Sequence, residues 1–330
     1  MSIRKLILPQ DADLLGELII NSFQYPENPE WSVQEDEREG FADTIKQIKR
    51  IWPLLNFAKR FNANVDDLLN GFIYEADGQP AGVVMANQRG KSAGWWIGTV
   101  STAPNFRRRG IARQLVEHLL DYFRQRGGEM AYLDVIAGNL PAYTLYESLG
   151  FENFSGRKEM QYTPNKVIAR PQLPDGYSIE KSNLFDWQGR FDLNQRILPD
   201  KIRQYEPLDP KRFQQPGYLR LLLPLLAMAQ GIKEIFFTIQ HQASGQLVGY
   251  GSYILRSRTG GRQQSGLLLD PAHGHLAEIL LDYCLHQMTS NSLTHIIEIA
   301  VPNWQTDIHA ATQARGFTER LEYRRMGLKL

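Results

Sequence analysis

The most constraining feature of this 330-residue sequence is the stretch Thr99–Ala112, where an apolar strand pattern meets a short basic loop and then a helix. Arg107, Arg108 and Arg109 are consecutive in the loop, and the small residue Gly110 follows them. The first four N–H groups of a helix lack partners within it, and the helix dipole adds positive charge at the same end. The stretch therefore favours binding of an anion such as a phosphate, although a strand-to-helix turn with a solvated arginine run can also be plain architecture.

The bulk composition suggests two ordinary globular domains without a global attraction to nucleic acid or to an anionic membrane. The net charge is only +1, from 37 basic and 36 acidic residues, so any anion binding must be local. The single cysteine, Cys284, excludes a disulfide within the chain and fits a reducing compartment. The sequence starts without a signal-peptide pattern, and its longest apolar stretch is too short to span a bilayer. We therefore expect a cytoplasmic location and no membrane partner.

The hydrophobic periodicity of the first half predicts a mixed α/β sheet. Asp77-Gly78 stands between two strand-like runs, which is typical of a β-hairpin. A strand over Trp95–Ser101 precedes the basic loop, and an amphipathic helix over Ile111–Phe123 follows it. Met130–Ile136 is a continuous apolar run, as expected for a strand buried on both faces. A second short helix is predicted over Asn139–Leu149, and this order of elements indicates an α/β fold.

Two motifs in this half resemble those of the GNAT superfamily of acyl-CoA-dependent N-acyltransferases. The segment Arg107–Ala112 fits the family pattern Gln/Arg-x-x-Gly-x-Gly/Ala at the start of a helix. The segment Asn139–Phe151 fits Asn-x-x-Ala-x-x-Leu-Tyr-x-x-x-Gly-Phe after the next strand. The pair at this spacing is far more specific than either motif alone. The resemblance implies a catalytic GNAT domain over residues 1–164 that transfers an acetyl group from acetyl-CoA to an amine.

The resemblance also implies roles for individual residues. The CoA pyrophosphate would be held by the backbone N–H groups of a short run, in a motif that Arg107 opens. That run comprises Arg108, Arg109, Gly110, Ile111 and Ala112. In relatives the strand before the loop splays from the next strand, so its free edge around Val100 and Thr102 would pair with the pantetheine arm. Asn139 would contact that arm, and Tyr146 would place its hydroxyl near the CoA sulfur.

Tyr146 has a chemical reason to act as the general acid. An amine that attacks a thioester forms a tetrahedral oxyanion, which then expels a thiolate. A neutral phenol, with a pKa of about 10, can give this sulfur a proton or a hydrogen bond. A backbone N–H on the splayed strand can stabilise the oxyanion. The alternative interpretation is that Tyr146 only packs its helix against the sheet.

The sequence does not identify the general base that would deprotonate the amine. Many relatives carry a carboxylate on or near the strand before the loop, but residues 95–102 contain no Asp or Glu. An acidic group does lie in the insert where relatives bind the acceptor: Glu30, Glu35, Asp36, Glu37 and Glu39. For any one of these residues a solvated helix start is the simpler interpretation. Trp95 and Trp96 alternate in direction, so we expect one in the core and the other in the acceptor cleft.

The second half of the sequence repeats the first, which indicates duplicated domains. Three local matches support the duplication: Glu117–Tyr122 with Glu278–Tyr283, Gly150-Phe151 with Gly316-Phe317, and Gly78–Gly82 with Gly245–Gly249. Met160 pairs with Met326 at the same offset of 166 as the second match. Residues 165–176, which include two prolines, are expected to link the copies.

The differences between the copies indicate that the second one has lost the donor site. The motif starting at Glu278 stands six residues nearer to the preceding proline than the one starting at Glu117, which suggests a deletion of the arginines and glycine. Thr312 stands at the position equivalent to Tyr146. We therefore predict a degenerate GNAT-like domain over residues 177–330 without a pyrophosphate loop.

The expected partners are acetyl-CoA, as a cosubstrate, and an amine acceptor. His273 and His275 stand in a glycine-containing turn without further ligands, so no metal is expected. One competing hypothesis is a non-catalytic acyl-CoA-binding sensor or scaffold on the same fold, because a fold does not fix an activity. The other is a nucleic-acid-binding module that uses the arginine run. The balanced charge and the lack of interleaved aromatic residues argue against nucleic acid.

Overall fold

The computed structural model describes residues 2–35, 37–39, 46, 49, 52, 70–217 and 219–330, including the backbone but not the side chains of residues 221 and 229. Asp36, one of the acidic residues of the insert, lies outside the described residues. The chain forms two compact units. Unit 1 comprises residues 1–154, 216–222 and 324–330, and unit 2 comprises residues 155–215 and 223–323.

Unit 1 is the α/β unit that the periodicity predicts. Its elements are β1 (Ser2–Lys5), α1 (Ala12–Ser22), β2 (Asn70–Ala76), β3 (Gln79–Gln88), β4 (Gly94–Thr102), α2 (Ile111–Gln125), β5 (Met130–Ile136) and α3 (Leu140–Ser148). The strands lie in the order β1-β2-β3-β4-β5. Pairing is antiparallel up to β4, and β4 and β5 are parallel. Asp77 and Gly78 have φ values of 55° and 75°, so they form the predicted hairpin turn.

The core of unit 1 sits between its sheet and the apolar stripe of α2. That stripe consists of Ile111, Leu115, Val116, Leu119, Leu120 and Phe123. Trp95 stacks on Phe123 with the ring centroids 4.7 Å apart, so Trp95 is the core tryptophan of the adjacent pair. Because side chains alternate along a strand, Trp96 lies on the opposite face of the sheet. Each fully buried side chain of this size contributes about 1.5–3 kcal/mol.

Unit 2 repeats the same arrangement and adds an insert of four helices. Its strands lie in the order β6-β11-β10-β9-β8-β7, and β10 and β11 are parallel. The remaining elements of the chain, most of which belong to unit 2, are β6 (Glu152–Tyr162), β7 (Tyr177–Ser182), α4 (Gln188–Ile197), α5 (Asp200–Tyr205), α6 (Pro210–Phe213), α7 (Leu219–Gln230), β8 (Ile232–His241), β9 (Gln246–Arg256), β10 (Gln263–Leu269), α8 (Ala277–Asn291), β11 (Ile297–Pro302), α9 (Thr306–Ala314) and β12 (Thr318–Lys329).

The final strands of the two halves are exchanged between the units. β6, from the first half, pairs antiparallel with β11, and its Met160 packs in the core of unit 2. The chain end Arg324–Leu330 belongs to unit 1, where Met326 packs in the core. Because the two strands carry the same apolar pattern, either one fits either sheet. The compact units therefore do not coincide with two consecutive blocks of sequence.

The segment between the two halves has no regular structure but is held in place. Residues 163–176 contain neither helix nor strand. The Ile168 N–H donates to Thr289 Oγ1 at 3.0 Å, and the Ile168 carbonyl lies 2.8 Å from His286 Nδ1. The predicted linker is therefore fixed to α8 by hydrogen bonds. Within the described ranges, no helix combines the length and apolar content that crossing a bilayer requires.

Candidate active site

A cavity of about 690 Å³ opens in unit 1 beside the start of α2. Its walls come from residues 22–31, 100–113 and 138–146. The volume is in the range typical of small-molecule sites, about 300–1,000 Å³. All but one of the residues that the sequence analysis assigns to donor binding or catalysis line this cavity: Val100, Thr102, Arg107, Arg108, Gly110, Ile111, Ala112, Asn139 and Tyr146. The exception is Arg109.

One end of the cavity is formed by free backbone donors. Gly110 caps α2 in the left-handed conformation with φ 75°, and Arg108 also has a positive φ, 63°. Among the described residues, no acceptor meets the backbone N–H groups from Arg108 to Arg113. A row of N–H groups at a helix start, reached through left-handed turns, is a concave site for an anion.

Two of the three arginine side chains of this loop contact other groups of the protein. Arg107 Nη2 donates to the Ser22 carbonyl at 2.7 Å, and Arg109 lies 3.7 Å from the carboxylate of Asp77. Arg108 is exposed and lines the cavity. Of the three arginines that the sequence suggests, Arg107 and Arg108 therefore line the cavity and Arg109 does not.

The wall next to this loop is the open end of β4. Pairing between β4 and β5 ends at Ile97 and Leu133, while β4 continues along β3 to Thr102. Gly98 is skipped in the register between β3 and β4, so it forms a β-bulge at the point where β4 leaves β5. The backbone of residues 99–102 thus has an edge without a strand partner among the described residues.

Three buried hydroxyl groups in this wall have no hydrogen-bond partner within the described part of the chain. They are Ser22 Oγ, Ser101 Oγ and Thr102 Oγ1. Most buried polar atoms in proteins are paired, and leaving one unpaired costs about 1–3 kcal/mol. All three residues line the cavity, so these unpaired polar groups lie in its wall.

Tyr146, on α3, and Asn139, immediately before that helix, also line the cavity. Tyr146 is 7% exposed, and burial followed by the nearby Tyr25 raises its pKa, so it stays a neutral phenol. Its ring meets Phe151 edge-on at 6.0 Å. Asn139 caps α3, because its Oδ1 accepts from the Ala142 N–H at 3.3 Å.

The loop after α1 contributes aromatic residues that the sequence analysis did not single out. Tyr25 and Trp31 line the cavity, and their rings meet edge-on with centroids 5.7 Å apart. The guanidinium of Arg107 lies 5.9 Å from the centre of the Tyr25 ring. The periodicity marks this segment only as a polar loop. Two aromatic residues close together in such a loop were the available indication of a site.

Unit 1 also holds a buried carboxylate outside the strand in which the sequence analysis sought one. Asp134 lies on β5, one residue beyond the last pair with β4, and its side chain is 8% exposed. Arg325 grips it through two hydrogen bonds of 2.9 and 3.2 Å and lies 4.8 Å from the centre of the Trp96 ring. Residues 130–136 were interpreted above as a continuous apolar run, but Asp134 is a charged exception within it, and this exception was its sequence indication.

The equivalent loop of unit 2 differs in content rather than in length, which corrects the predicted deletion. Residues 270–276 connect β10 with α8, whereas residues 103–110 connect β4 with α2, so the two connections are nearly equally long. The repeated motif instead lies about one turn nearer to the start of α8 than it does in α2. Residues one turn apart share a helix face, so the buried stripe is kept. At the start of this loop the carboxylate of Asp270 accepts from the Ala272 N–H at 3.0 Å. In unit 2 a carboxylate of the protein itself therefore binds one of the N–H groups of this loop.

The cleft of unit 2 is closed by a side chain. Gln305 stands at the position equivalent to Asn139, before α9. Its Oε1 accepts from the Leu269 N–H at 3.1 Å, and its Nε2 donates to the Leu269 carbonyl at 3.0 Å. Leu269 is the counterpart of Thr102, because Gly249 pairs with Leu269 as Gly82 pairs with Thr102. In unit 2, Gln305 therefore supplies hydrogen bonds to a strand edge whose counterpart in unit 1 is open.

Gln305→Ala is expected to destabilise the protein by about 2–4 kcal/mol, because it leaves both Leu269 backbone groups buried and unpaired. Asn139→Ala is the matched control, since it removes one long capping bond and should cost about 1 kcal/mol. Urea unfolding followed by circular dichroism measures both variants. Equal losses would contradict the assigned role of Gln305.

A metal centre has no candidate in the part of the chain that is described. No three His, Cys, Asp or Glu side chains come together there in a way that could hold an ion. His273 instead hydrogen-bonds the Tyr177 hydroxyl at 2.8 Å through Nδ1.

Comparison with known proteins finds a family match over part of the chain. Residues 30–151 match the model of the acetyltransferase (GNAT) family. Over 59 residues the chain is 44% identical to the ribosomal protein bS18-alanine N-acetyltransferase of Salmonella typhimurium, a match that covers 18% of this chain and 40% of that protein. The chain thus spans well under half the length of the curated relatives that it matches.

Solved structures extend the likeness of fold to the whole chain. A tandem GNAT protein from the clavulanic acid biosynthesis pathway superposes with a TM-score of 0.59 at 12% identity, covering 99% of this chain and 98% of that one. A GCN5-related N-acetyltransferase from Sphaerobacter thermophilus gives a TM-score of 0.60 at 16% identity, covering 99% and 95%. Residues 30–151 thus match the acetyltransferase (GNAT) family and carry its two motifs on one cavity, and the chain as a whole has the fold of the tandem GNAT protein.

Proposed function

We propose that this protein is an N-acetyltransferase that moves an acetyl group from acetyl-CoA directly onto a primary amine. The observation that carries the proposal is the cavity of unit 1, which is lined together by free backbone donors, an open strand edge and a buried phenol. A nucleotide-linked thioester presents groups complementary to each of them: a pyrophosphate, an amide-containing arm and a sulfur.

The residues of the cavity fit acetyl-CoA by their donors and acceptors. The N–H groups of Arg108 to Ala112 would hold the pyrophosphate, and Arg108 would add a guanidinium. The free edge of β4 at Val100 and Thr102 would pair with the pantetheine arm as an added strand does. The unpaired hydroxyls of Ser22, Ser101 and Thr102 support this placement, because a bound polar arm would pair them.

Tyr146 would act as the general acid in this site. Its burial keeps the phenol neutral, which is the form that can donate a proton to a leaving thiolate. The N–H groups at the bulge of β4 would stabilise the oxyanion of the tetrahedral intermediate.

Asp134 would receive the acceptor amine. It stands at the fork of β4 and β5, where the thioester carbonyl would lie if the arm follows β4. A carboxylate has about four acceptor positions, so its oxygens can bind an ammonium group or a water alongside the guanidinium of Arg325. Asp134 would thus bind the amine and take up its proton directly or through water.

Asp134→Asn is expected to lower kcat/KM for the amine about tenfold at neutral pH, because the variant keeps the shape but loses the charge. The loss should shrink as the pH rises above the pKa of the amine, where the acceptor is already neutral. A pH profile of acetylation measures this effect, and a constant loss at every pH would contradict the role.

Unit 2 is proposed to bind no acyl-CoA, so each chain would carry one donor site. Gln305 occupies the strand edge, Asp270 occupies a loop donor, and Thr312 replaces the general acid. Its work would be to support unit 1 or to shape the acceptor site.

The test of the proposed function combines binding with turnover. Calorimetry should show one acetyl-CoA per chain, and a panel of primary amines should release CoA thiol. Binding without thiol release for any amine would favour the alternative, an acyl-CoA sensor on the same fold. Absence of binding would exclude both functions.

A further inference from the structure

The end of α1 is capped by a side chain from a distant part of the sequence. The last four carbonyl groups of a helix have no partner within it, and the helix dipole makes this end negative. α1 carries no basic residue in its last turn. Arg107, which is 85 residues further along the chain, supplies the cation, because its Nη2 donates to the carbonyl of Ser22 at 2.7 Å. Ser22 is the final residue of α1, so Arg107 acts as the cap of that helix.

Arg107 also stands directly before the free backbone donors of the cavity. Its own N–H donates to the Pro104 carbonyl at 3.3 Å, and the next residue, Arg108, has φ 63°. The backbone of Arg107 therefore belongs to the loop before α2, while its side chain reaches α1. This one side chain joins the candidate anion site to the end of another helix.

The chain that follows α1 folds back into a compact loop, residues 23–33, which we call the α1 loop. The Val33 N–H donates to the Phe23 carbonyl at 3.1 Å and joins the two ends of the loop. Within the loop, the Tyr25 N–H donates to Ser32 Oγ at 2.8 Å. Compact loops whose ends meet in this way are frequently functional.

The α1 loop touches the segments that precede α2 and α3. On one side, the Arg107 guanidinium lies 5.9 Å from the centre of the Tyr25 ring, within the range of a cation–π contact. On the other side, Trp31 covers Gly138, where a Cβ would lie 3.3 Å from the indole ring. In this position the loop contributes a wall of the cavity, which consists of Phe23, Tyr25, Glu27, Asn28 and Trp31.

We propose that Arg107 is a positioning residue that couples donor binding to the closed position of the α1 loop. The inference rests on the proposed function. A diphosphate held by the N–H groups of Arg108 to Ala112 would fix the backbone from which the Arg107 side chain extends. That side chain then loses less conformational entropy when it holds Ser22 and Tyr25, so donor binding and loop closure favour each other. By linkage the coupling is reciprocal.

Hydrogen exchange of the Tyr25 and Val33 amides tests the coupling, because the hydrogen bonds of both amides break when the loop opens. Saturating acetyl-CoA should slow this exchange at least tenfold in the natural protein. Arg107→Gln loses a hydrogen bond from a charged donor, so exchange in the free variant should be about tenfold faster. Acetyl-CoA should then slow it less than twofold. Arg107→Lys keeps a charged donor and should lie between the two.

Ligand fragments and kinetics locate the origin of the effect. CoA, which lacks the acetyl group, should protect the loop as acetyl-CoA does, whereas saturating acetyl-pantetheine, which lacks the diphosphate, should give little protection. Calorimetry should find the acetyl-CoA dissociation constant of Arg107→Gln within about threefold of the natural value, since the backbone donors remain. The kcat/KM for the amine should fall about tenfold, because a smaller fraction of the protein has the closed loop.

Arg126→Gln is the matched control. It removes another exposed guanidinium that lies over a tyrosine ring, 4.9 Å from the centre of Tyr122, outside the cavity lining. This variant should exchange and turn over as the natural protein does.

Three results would overturn the inference and leave the proposed function standing. Bound acetyl-CoA could leave the exchange of the α1 loop unchanged, or it could accelerate exchange because the diphosphate draws Arg107 away from Ser22. Arg107→Gln could also respond to acetyl-CoA as the natural protein does. Failure of the natural protein to bind acetyl-CoA would instead remove the proposed function.

Discussion

Tyr146→Phe is expected to lower kcat for amine acetylation about 100-fold while acetyl-CoA binds as before, because a positioned general acid contributes about 10²–10⁴. The variant keeps the ring that packs against Phe151 and removes only the hydroxyl. The buried ring still fills the same space in the core of unit 1, so the loss of the hydroxyl should leave the unfolding midpoint nearly unchanged.

Steady-state kinetics with acetyl-CoA and a saturating amine, together with calorimetric titration, measure this prediction. The identity of the leaving group gives a second readout. The loss of kcat should be greatest with acetyl-CoA, which releases a thiolate, and smaller with a selenoester analogue of acetyl-CoA, which releases a selenolate. If Tyr146→Phe turned over at the rate of the natural protein, the tyrosine would be only a packing residue.

The architecture of unit 1 could be predicted because local chemistry decides it. The φ values of Asp77 and Gly78 demand the residue types found at a hairpin turn, and the stripe of α2 repeats at helical spacing. The exchange of final strands could not be predicted. Met160 and Met326 lie in equivalent patterns, so periodicity specifies a buried face but not the sheet that receives it.

The residues predicted to bind the donor come from local motifs for the same reason, whereas the residues proposed to meet the acceptor do not. Backbone donors at Gly110 follow from a local motif. The surroundings of Asp134 and Tyr25 could not be predicted, because they form only when β5, the loop after α1 and the chain end fold together. The deletion predicted in the second copy was wrong for a related reason. A shift of the repeated motif by about one turn along its helix leaves the apolar stripe of that helix unchanged, so the sequence pattern does not reveal the shift.

The pair Asn139 and Gln305 illustrates how one fold can open or close the same cleft. Both residues precede the helix that follows the buried strand. The shorter amide caps its own helix and leaves the β4 edge free. The amide with one more methylene reaches the strand and pairs with Leu269. A difference of one methylene thus separates unit 1, where the strand edge is left free for an extended ligand, from unit 2, where Gln305 pairs with that edge.

Gly110→Val is expected to weaken acetyl-CoA binding at least 100-fold. Gly110 has φ 75°, which a β-branched residue adopts only with strain. Relief of that strain would rotate the peptide planes on both sides, so the N–H groups of Arg109 to Ala112 would no longer converge on one anion. Within the protein a Cβ there would meet only Gln114 Nε2, at 3.8 Å, which is an ordinary van der Waals contact.

Gly127→Val is the matched control, because Gly127 follows the other end of the same helix with φ 70°, and a Cβ there would meet no atom within 4 Å. Each variant should lose about 1–2 kcal/mol of stability from the left-handed conformation, whereas only Gly110→Val should lose the donor. Calorimetry with CoA and with its 3′,5′-ADP fragment, alongside thermal unfolding, separates the two effects. Equal affinities in the two variants would mean that the pyrophosphate does not lie on the start of α2, and the assignment of the whole cavity to an acyl-CoA would fail with it.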